Sequence, residues 1–457
     1  MNIQVPEKVN KIIETLLAHG HEAYAVGGCV RDSLLDREAD DWDITTSASP
    51  YEVKSLFRRT IDTGIQHGTV TVMLDKEGFE VTTYRIDGEY EDGRHPKEVL
   101  FTKNLEEDLK RRDFTINAMA YNKQTGMVDI FGGVKDLENK IIRCVGVAGD
   151  RFDEDALRIM RAFRFSAQLG FSIEEHTRIA AAERAENLKK ISAERIRVEL
   201  TKLLLSDHPD RLLWMQQNGI TKIVLPEFDA MLATEQNNNN HLYNVGEHTL
   251  KVLEQIGAEG EWSKKELQIL RFAALLHDVA KPEVQVTDTQ GAQHFPKHGE
   301  AGAKKAKEIM RRLKFDNETT DMVVRLVAAH EQYISITDSF EDNLVAMRYM
   351  MYRLGPDMME LLWELQRADV NAQNPVFLQH KLSVLKETKR LHQEVINRKE
   401  CVSLKQLAVN GKDLIEIGAV PGKQIGELLE KLLEEVLKYP EKNTKDILIE
   451  LAKSYMK

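Results

Sequence analysis

Cysteine is nearly missing from this chain: Cys29, Cys144 and Cys401 are the only three in 457 residues. So few, so widely spaced, they exclude a disulfide framework and a cysteine metal site, and reduced thiols in a cytoplasmic protein are expected. Long apolar runs are missing too; none approaches the roughly eighteen residues of a membrane span. The opening Met1-Asn2-Ile3-Gln4 lacks the basic and apolar regions of a secretory leader. A basic surplus is also absent. The net charge of −11 argues against indiscriminate nucleic-acid binding but leaves room for a local basic track. Nothing in the chain repeats, and there is no long low-complexity segment.

What is present is a soluble globular composition, 42% hydrophobic and 30% charged, in a chain too long for one core. Three or more folding units are expected. Residues up to about 145 alternate helix and strand signals, with an amphipathic helix over 5–19 and strands at 23–26, 43–45, 69–74 and 79–84. From about 150 onward the pattern is almost wholly helical. The polar run Asn237-Asn238-Asn239-Asn240 marks a boundary, and a second change falls at 371–375.

Gly27-Gly28 lies between the apolar Tyr24-Ala25-Val26 and a helix expected near Val30. That is a strand–glycine turn–helix, where backbone amides can meet phosphate oxygens and Arg31 lies one turn on. A bare glycine pair also fits any tight turn. Asp41-Trp42-Asp43 follows. Carboxylates one residue apart on a strand point the same way, repel each other and call for a cation such as Mg²⁺. An acidic turn is the bland alternative. Glu80 is the candidate third carboxylate, with an exposed strand position as its alternative. Arg111-Arg112 can neutralise a triphosphate, although such a charge run is ordinarily a solvated face.

Five segments then come in order: GGCVRD at 27–32, DWDITT at 41–46, RRDFTINAMAY at 111–121, DIFGGVKDL at 129–137 and EDALRIMRAFRF at 154–165. Together they resemble the bacterial-type (class II) CCA-adding tRNA nucleotidyltransferase and poly(A) polymerase family, within the polymerase β-like nucleotidyltransferases. The resemblance implies a two-metal phosphoryl transfer in which Asp41 and Asp43 hold Mg²⁺, beside the candidate third carboxylate Glu80. It also implies that Gly27, Gly28, Arg31 and Arg112 contact the triphosphate.

In the last segment Ala156, Met160, Phe163 and Ala167 share one helix face. Asp155 and Arg158 fall opposite, three residues apart and able to touch, which alone reads as a surface salt bridge. The resemblance implies instead a protein template. Asp155 accepts from N4 of cytosine or N6 of adenine, and Arg158 donates to the neighbouring ring acceptor. Arg161 and Arg164 match further nucleotide contacts. Residues 85–96 look like the family's flexible loop, whose presence implies competence to add adenosine.

A second chemistry follows the polar break. His277-Asp278 ends an apolar helix, with His248 upstream and His298, His330 and Asp369 downstream. The set resembles the HD phosphohydrolase superfamily. It implies a four-ligand site of His248, His277, Asp278 and Asp369, extended by His298 and His330 to hold two metals. Such ligands suit Mn, Fe, Ni or Zn. Lys281 is a candidate phosphate holder, and His294 reads as a loop histidine. Residues 407–414 and 421–426 resemble the transferase family's tail.

The expected fold is α+β and multidomain. A nucleotidyltransferase head with a small mixed sheet at 1–145 precedes an all-α neck (146–205), body (206–240), HD domain (241–375) and tRNA-binding tail (376–457). The expected activity is addition of C, C and A to the tRNA 3′ end from CTP and ATP, with a second phosphohydrolase activity. No membrane and no obligate protein partner are expected. The rivals are a relative adding adenosine only, a poly(A) polymerase, and an HD phosphohydrolase whose head merely binds RNA.

Overall fold

The computed structural model describes residues 3–39, 41–88, 99–237 and 242–456. The chain divides into two compact units, Met1–Pro226 and Glu227–Lys457.

The first unit is built on a seven-stranded mixed sheet. Its strands are β1 (Ala23–Val26), β2 (Ile44–Thr46), β3 (Thr60–Gly64), β4 (Thr69–Leu74), β5 (Glu77–Thr83), β8 (Ala120–Asn122) and β9 (Gly126–Val128), in the order β3-β4-β5-β2-β1-β8-β9. Between them β6 (Arg85–Asp87) and β7 (Val99–Phe101) form a separate two-stranded ribbon. All four residues of β1 are buried, as a central strand requires. β4 buries Val70 and Val72 and leaves the residues between them partly open. Within this sheet β2 and β5 run parallel, pairing Ile44 with Val81 and Thr46 with Thr83, and its other described pairings are antiparallel.

The expected strands at 23–26 and 69–74 appear within those bounds, and the one at 43–45 begins a residue later. β3, β8 and β9 were not expected. β3 is largely exposed and the other two span only three residues each, too short to show a period of two. The expected flexible segment at 85–96 falls mostly outside the described residues.

Past the sheet the unit is helical, including Ala148–Glu154, Leu157–Leu169 and Ala193–Leu204. The second unit is almost wholly helical. Val245–Gln255, Lys264–Leu276, His298–Arg312, Asn317–Ala329 and Met359–Asn371 frame its core, and Pro375–Asn397 packs on the last of these. Lys264–Leu276 starts on a capping box between Ser263 and Glu266 and is buried continuously from Ile269 to Leu276. No helix among the described residues is long and apolar enough to cross a membrane. All three cysteines are free and buried. Burial pushes the Cys29 thiol up to about 11 and the Cys144 thiol up to about 12, which keeps both inert at neutral pH.

Candidate active site and a second metal centre

β1 runs through Gly27, at φ +84°, straight into the helix Gly28–Leu34. Only glycine adopts that backbone without strain. A Cβ on Gly27 would also meet Arg112 Nη1 at 2.9 Å, so the missing side chain makes room for the guanidinium. Arg31, on the following helix, is buried. It donates to Asn117 Oδ1 at 2.7 Å and grips both oxygens of Asp32.

Asp41 and Asp43 precede β2 rather than lie on it; both keep solvent-exposed surface, and the groups around the Asp43 carboxyl partly desolvate it. The Asp43 carbonyl accepts from Val26 N at 3.0 Å, which carries the β1–β2 pairing one step further. Since Ile44 pairs with Val81, the parallel register sets Asp43 beside Glu80, the residue before Val81. Partial burial and the neighbouring Asp43 and Asp41 charges raise the Glu80 carboxyl above its ordinary value. Asp43 is raised by burial and by Asp41, with Arg112 opposing. Three crowded carboxylates face one internal arginine. That deficit of positive charge fits a divalent cation.

Arg112 is held from behind. Asp108 is fully buried and accepts from Arg111 Nε at 3.0 Å and from Thr45 Oγ1 at 3.0 Å. The Arg112 guanidinium lies 3.9 Å from its other oxygen. Asp108 was not among the expected site residues; it sits in an acidic run that reads as a solvated helix face.

The base-reading segment departs from the expected geometry. The helix does not run through from Glu154. It stops there, Asp155 takes an extended backbone, and a new helix begins at Leu157. Asp155 and Arg158 therefore do not share a helix face, and their side chains do not pair. Asp155 caps Leu157 N at 3.0 Å and binds Arg195 Nη2 at 2.7 Å. Arg158 binds Glu154 and the carbonyls of Arg151 and Arg111. Glu154, at the end of the preceding helix, thus takes Arg158 across the break, and Arg195 takes Asp155. Arg195, forty residues from its partner, had no signal in the sequence. Ala156, Met160, Phe163 and Ala167 are all buried, as their spacing predicts.

Arg161 pairs with Asp113, and Arg164, itself buried, pairs with Glu199 at 2.9 Å. Burial opposes the Asp113 charge, but Arg161 and Asn117 outweigh it and hold the carboxyl well below the usual range. Arg31, Arg161 and Arg164 all stand over the Phe165 ring, at 4.9, 5.3 and 3.8 Å.

In the second unit the six expected ligands converge and all are buried. They form two triads, His248, His277 and Asp369, and Asp278, His298 and His330. Asp278 lies between them: its Oδ2 is 3.2 Å from His277 Nε2, and its Oδ1 is 3.2 Å from His298 Nε2 and 3.7 Å from His330 Nε2. His248 Nε2 meets Asp369 Oδ1 at 2.9 Å. The Nδ1 atoms of His277, His298 and His330 bond the carbonyls of Ala274, Phe295 and Val327 at 2.7–2.9 Å. A carbonyl only accepts, so each Nδ1 carries the hydrogen and each Nε2 turns a lone pair inward.

His298 Nε2 and His330 Nε2 stand 3.2 Å apart, a contact that needs a proton or a metal between two lone pairs. Burial, with His277 adding to it, pushes His330 down to about 3, while, against burial, Asp278 raises His298, so a proton in this contact belongs on His298. The imidazole and carboxylate donors of the two groups are of the kind that suits transition-metal ions. Lys281 is buried and occupied, bonded to Asp278 Oδ2 and Gln236 Oε1 at 2.7 Å each. His294 lies on a surface strand pair and bonds Asp288, outside the cluster.

A mixed sheet that sets strand-edge carboxylates beside a glycine turn and an arginine defines a nucleotidyltransferase head. The family described as "Poly A polymerase head domain" matches residues 23–143. "Probable RNA and SrmB- binding site of polymerase A" matches 170–232, and "tRNA nucleotidyltransferase domain 2" matches 298–452. The CCA-adding enzyme of Lactiplantibacillus plantarum is 34% identical over 97% of this chain and 94% of its own length. That of Anoxybacillus flavithermus is 37% identical over 99% and 98%. Among solved structures, the Bacillus stearothermophilus CCA-adding enzyme in complex with CTP superposes with a TM-score of 0.70 at 28% identity, over 99% of both chains. This chain belongs to the CCA-adding enzyme family.

Proposed function

We propose that this protein adds cytidine, cytidine and adenosine in turn to the 3′ end of tRNA from CTP and ATP, without a nucleic-acid template. The observation that carries the reading is the β2–β5 register, which sets Asp43 beside Glu80 at the edge that also presents Gly27 and Arg112. Asp41 and Asp43 would hold Mg²⁺, which when bound activates the attacking 3′-hydroxyl and neutralises the departing pyrophosphate. Arg31 and Arg112 orient the triphosphate, with Gly27 and Gly28 letting it approach the backbone. Base choice falls to Asp155 and Arg158, with Arg161 and Arg164 behind them, once Asp155 is released from Arg195 and Arg158 from Glu154. The assignments 1–145 head, 146–205 neck, 206–240 body, 241–375 HD domain and 376–457 tail go with this reading. In the tail, Gly422 at φ +116° opens a long helix where a backbone can approach RNA closely.

The test offers radiolabelled CTP and ATP to tRNA lacking CCA, tRNA lacking only the final A, and an unrelated RNA. Incorporation of ATP but never CTP would overturn the reading in favour of an adenosine-only enzyme or a poly(A) polymerase. That rival draws support from the match to the poly(A) polymerase head.

The buried histidine cluster supports a second activity, hydrolysis of phosphomonoesters or 2′,3′-cyclic phosphates. Water oxygen bonds to phosphorus and the ester oxygen leaves as the alcohol. His248, His277, Asp278, His298, His330 and Asp369 would hold the metal, which when bound would supply a deprotonated water at neutral pH. Metal analysis of the purified chain together with a phosphatase assay tests it; a chain with no bound transition metal after reconstitution lacks this activity.

A further inference from the structure

Asp108 lies on the short helix Leu105–Lys110, and the folded chain buries it completely. A buried carboxylate is costly unless its oxygens find donors or a cation. Both oxygens of Asp108 do. Oδ1 accepts from Arg111, with Nε at 3.0 Å and Nη2 at 2.9 Å, and from the backbone N–H of Arg85 at 3.4 Å. Oδ2 accepts from Thr45 Oγ1 at 3.0 Å and lies 3.9 Å from Arg112 Nη2.

Three of these partners lead to three parts of the candidate site. Thr45 is buried on β2, two residues beyond Asp43. Arg112 is the arginine beside Gly27, and its Nε is buried without a hydrogen-bond partner among the described residues. Burial pulls the Arg112 guanidinium below its ordinary value, and Asp108 is the foremost of the charges that oppose this, ahead of Asp43 and Asp113. At 3.9 Å Asp108 supports that charge from beyond hydrogen-bond distance, so the pair uses up none of the N–H groups an anion would need. Arg111 is the third link. Its side chain is tied to Asp108, and its carbonyl, at the helix end, accepts from Arg158 Nη2 at 3.0 Å. One buried carboxylate thus stands between the strand after Asp43, the arginine at the glycine turn and the arginine assigned to base reading.

We propose that Asp108 is a positioning residue for nucleotide addition, a buried hub that fixes Arg112 against β2 and, through Arg111, sets Arg158 at its distance from the triphosphate. Being fully buried, Asp108 touches neither nucleotide nor metal. Its charge holds Arg112 in place while leaving that guanidinium open to phosphate oxygens. Its clamp on Arg111, three residues on, keeps the carbonyl that receives Arg158 in register. The two ends of one nucleotide, triphosphate and base, are then gauged from a single carboxylate. The proposal rests on the reading of the head as a nucleotide-adding site.

The experiment compares full-length wild type, Asp108→Asn and Thr45→Val in steady-state addition to tRNA lacking CCA, with Mg²⁺ present. Inorganic tripolyphosphate, which carries no base, serves as the inhibitor. Asp108→Asn keeps the shape and removes the charge. It is expected to raise KM for CTP and Ki for tripolyphosphate roughly tenfold, the loss of one charge-assisted contact. Its kcat and its KM for tRNA should stay within about twofold of wild type. Incorporation of UTP relative to CTP should rise as Arg158 loses its register. Thr45→Val keeps the charge and removes one neutral donor, and the same two constants should rise roughly threefold. A merely structural role would lower the melting temperature and kcat, through the active fraction, and leave KM and Ki where they are. If folded Asp108→Asn keeps the wild-type KM and Ki, the proposal falls. If that variant does not fold, unmoved constants in Thr45→Val overturn it. A raised KM with unchanged UTP discrimination strikes out the link to Arg158. If wild type takes ATP but never CTP, the CCA-adding reading falls, and the same constants measured with ATP decide the role of Asp108. If wild type adds neither nucleotide, both fall.

Discussion

A methyl group on Gly27 would stand 2.9 Å from Arg112 Nη1, on a backbone at φ +84°. Gly27→Ala is therefore expected to cost about 1–2 kcal/mol of stability from the backbone alone. It should also raise KM for CTP and ATP by displacing Arg112, which steady-state kinetics and thermal melting check. Asp41→Ala with Asp43→Ala removes the carboxylates proposed to hold Mg²⁺. Nucleotide addition should fall by ~10³-fold or more, equivalent to about 4 kcal/mol of transition-state stabilisation, with metal content of the second unit unchanged. Addition at wild-type rate would sink the assignment. Asp113 gives a pH prediction. Its carboxyl titrates below the ordinary value in the folded protein, so below about pH 4 the unfolded chain binds the extra proton. The stability from Asp113 is thus complete above that pH and lost as pH falls further. Asp113→Asn should flatten this part of the acid limb in urea melts taken across pH 2–5.

At the scale of elements, the break at Asp155 matters most. The apolar stripe of Ala156, Met160, Phe163 and Ala167 was legible in the sequence because a period of 3.6 survives whatever happens at the first turn. The break itself was not, since Asp155 is stabilised by Arg195 from a distant helix, and local patterns carry no record of such partners. The short strands β8 and β9 escaped for a related reason: their neighbours in the sheet, not their own alternation, make them strands. Asp155→Asn keeps a cap oxygen for Leu157 N but swaps an acceptor-only edge for one with donors. Misincorporation of UTP and GTP onto tRNA should rise while the melting temperature moves little. An unchanged nucleotide preference would place base choice elsewhere.

At the scale of the whole molecule, both candidate centres were legible as residue sets, because carboxylate pairs and His-Asp spacing are written locally. The parts that arm them were not. Asp108 and Gln373 bond neighbours that only the folded chain supplies. The two centres occupy separate compact units, so each should fail alone. His277→Ala is expected to strip metal from the second unit and abolish phosphohydrolysis, leaving addition to tRNA within about twofold, a change the size of a few tenths of a kcal/mol. Joint loss in that variant would show the two activities to be one. The parallel pairing of β2 with β5 has one more consequence, for the order of events in synthesis. Asp43 and Glu80 meet only after the chain between them has folded back, and such non-local pairing forms late and slowly. A nascent or partly melted head thus carries Glu80 apart from Asp41 and Asp43. It has little grip on divalent ions or nucleotides until the sheet closes, so competence to react becomes a report on completed folding.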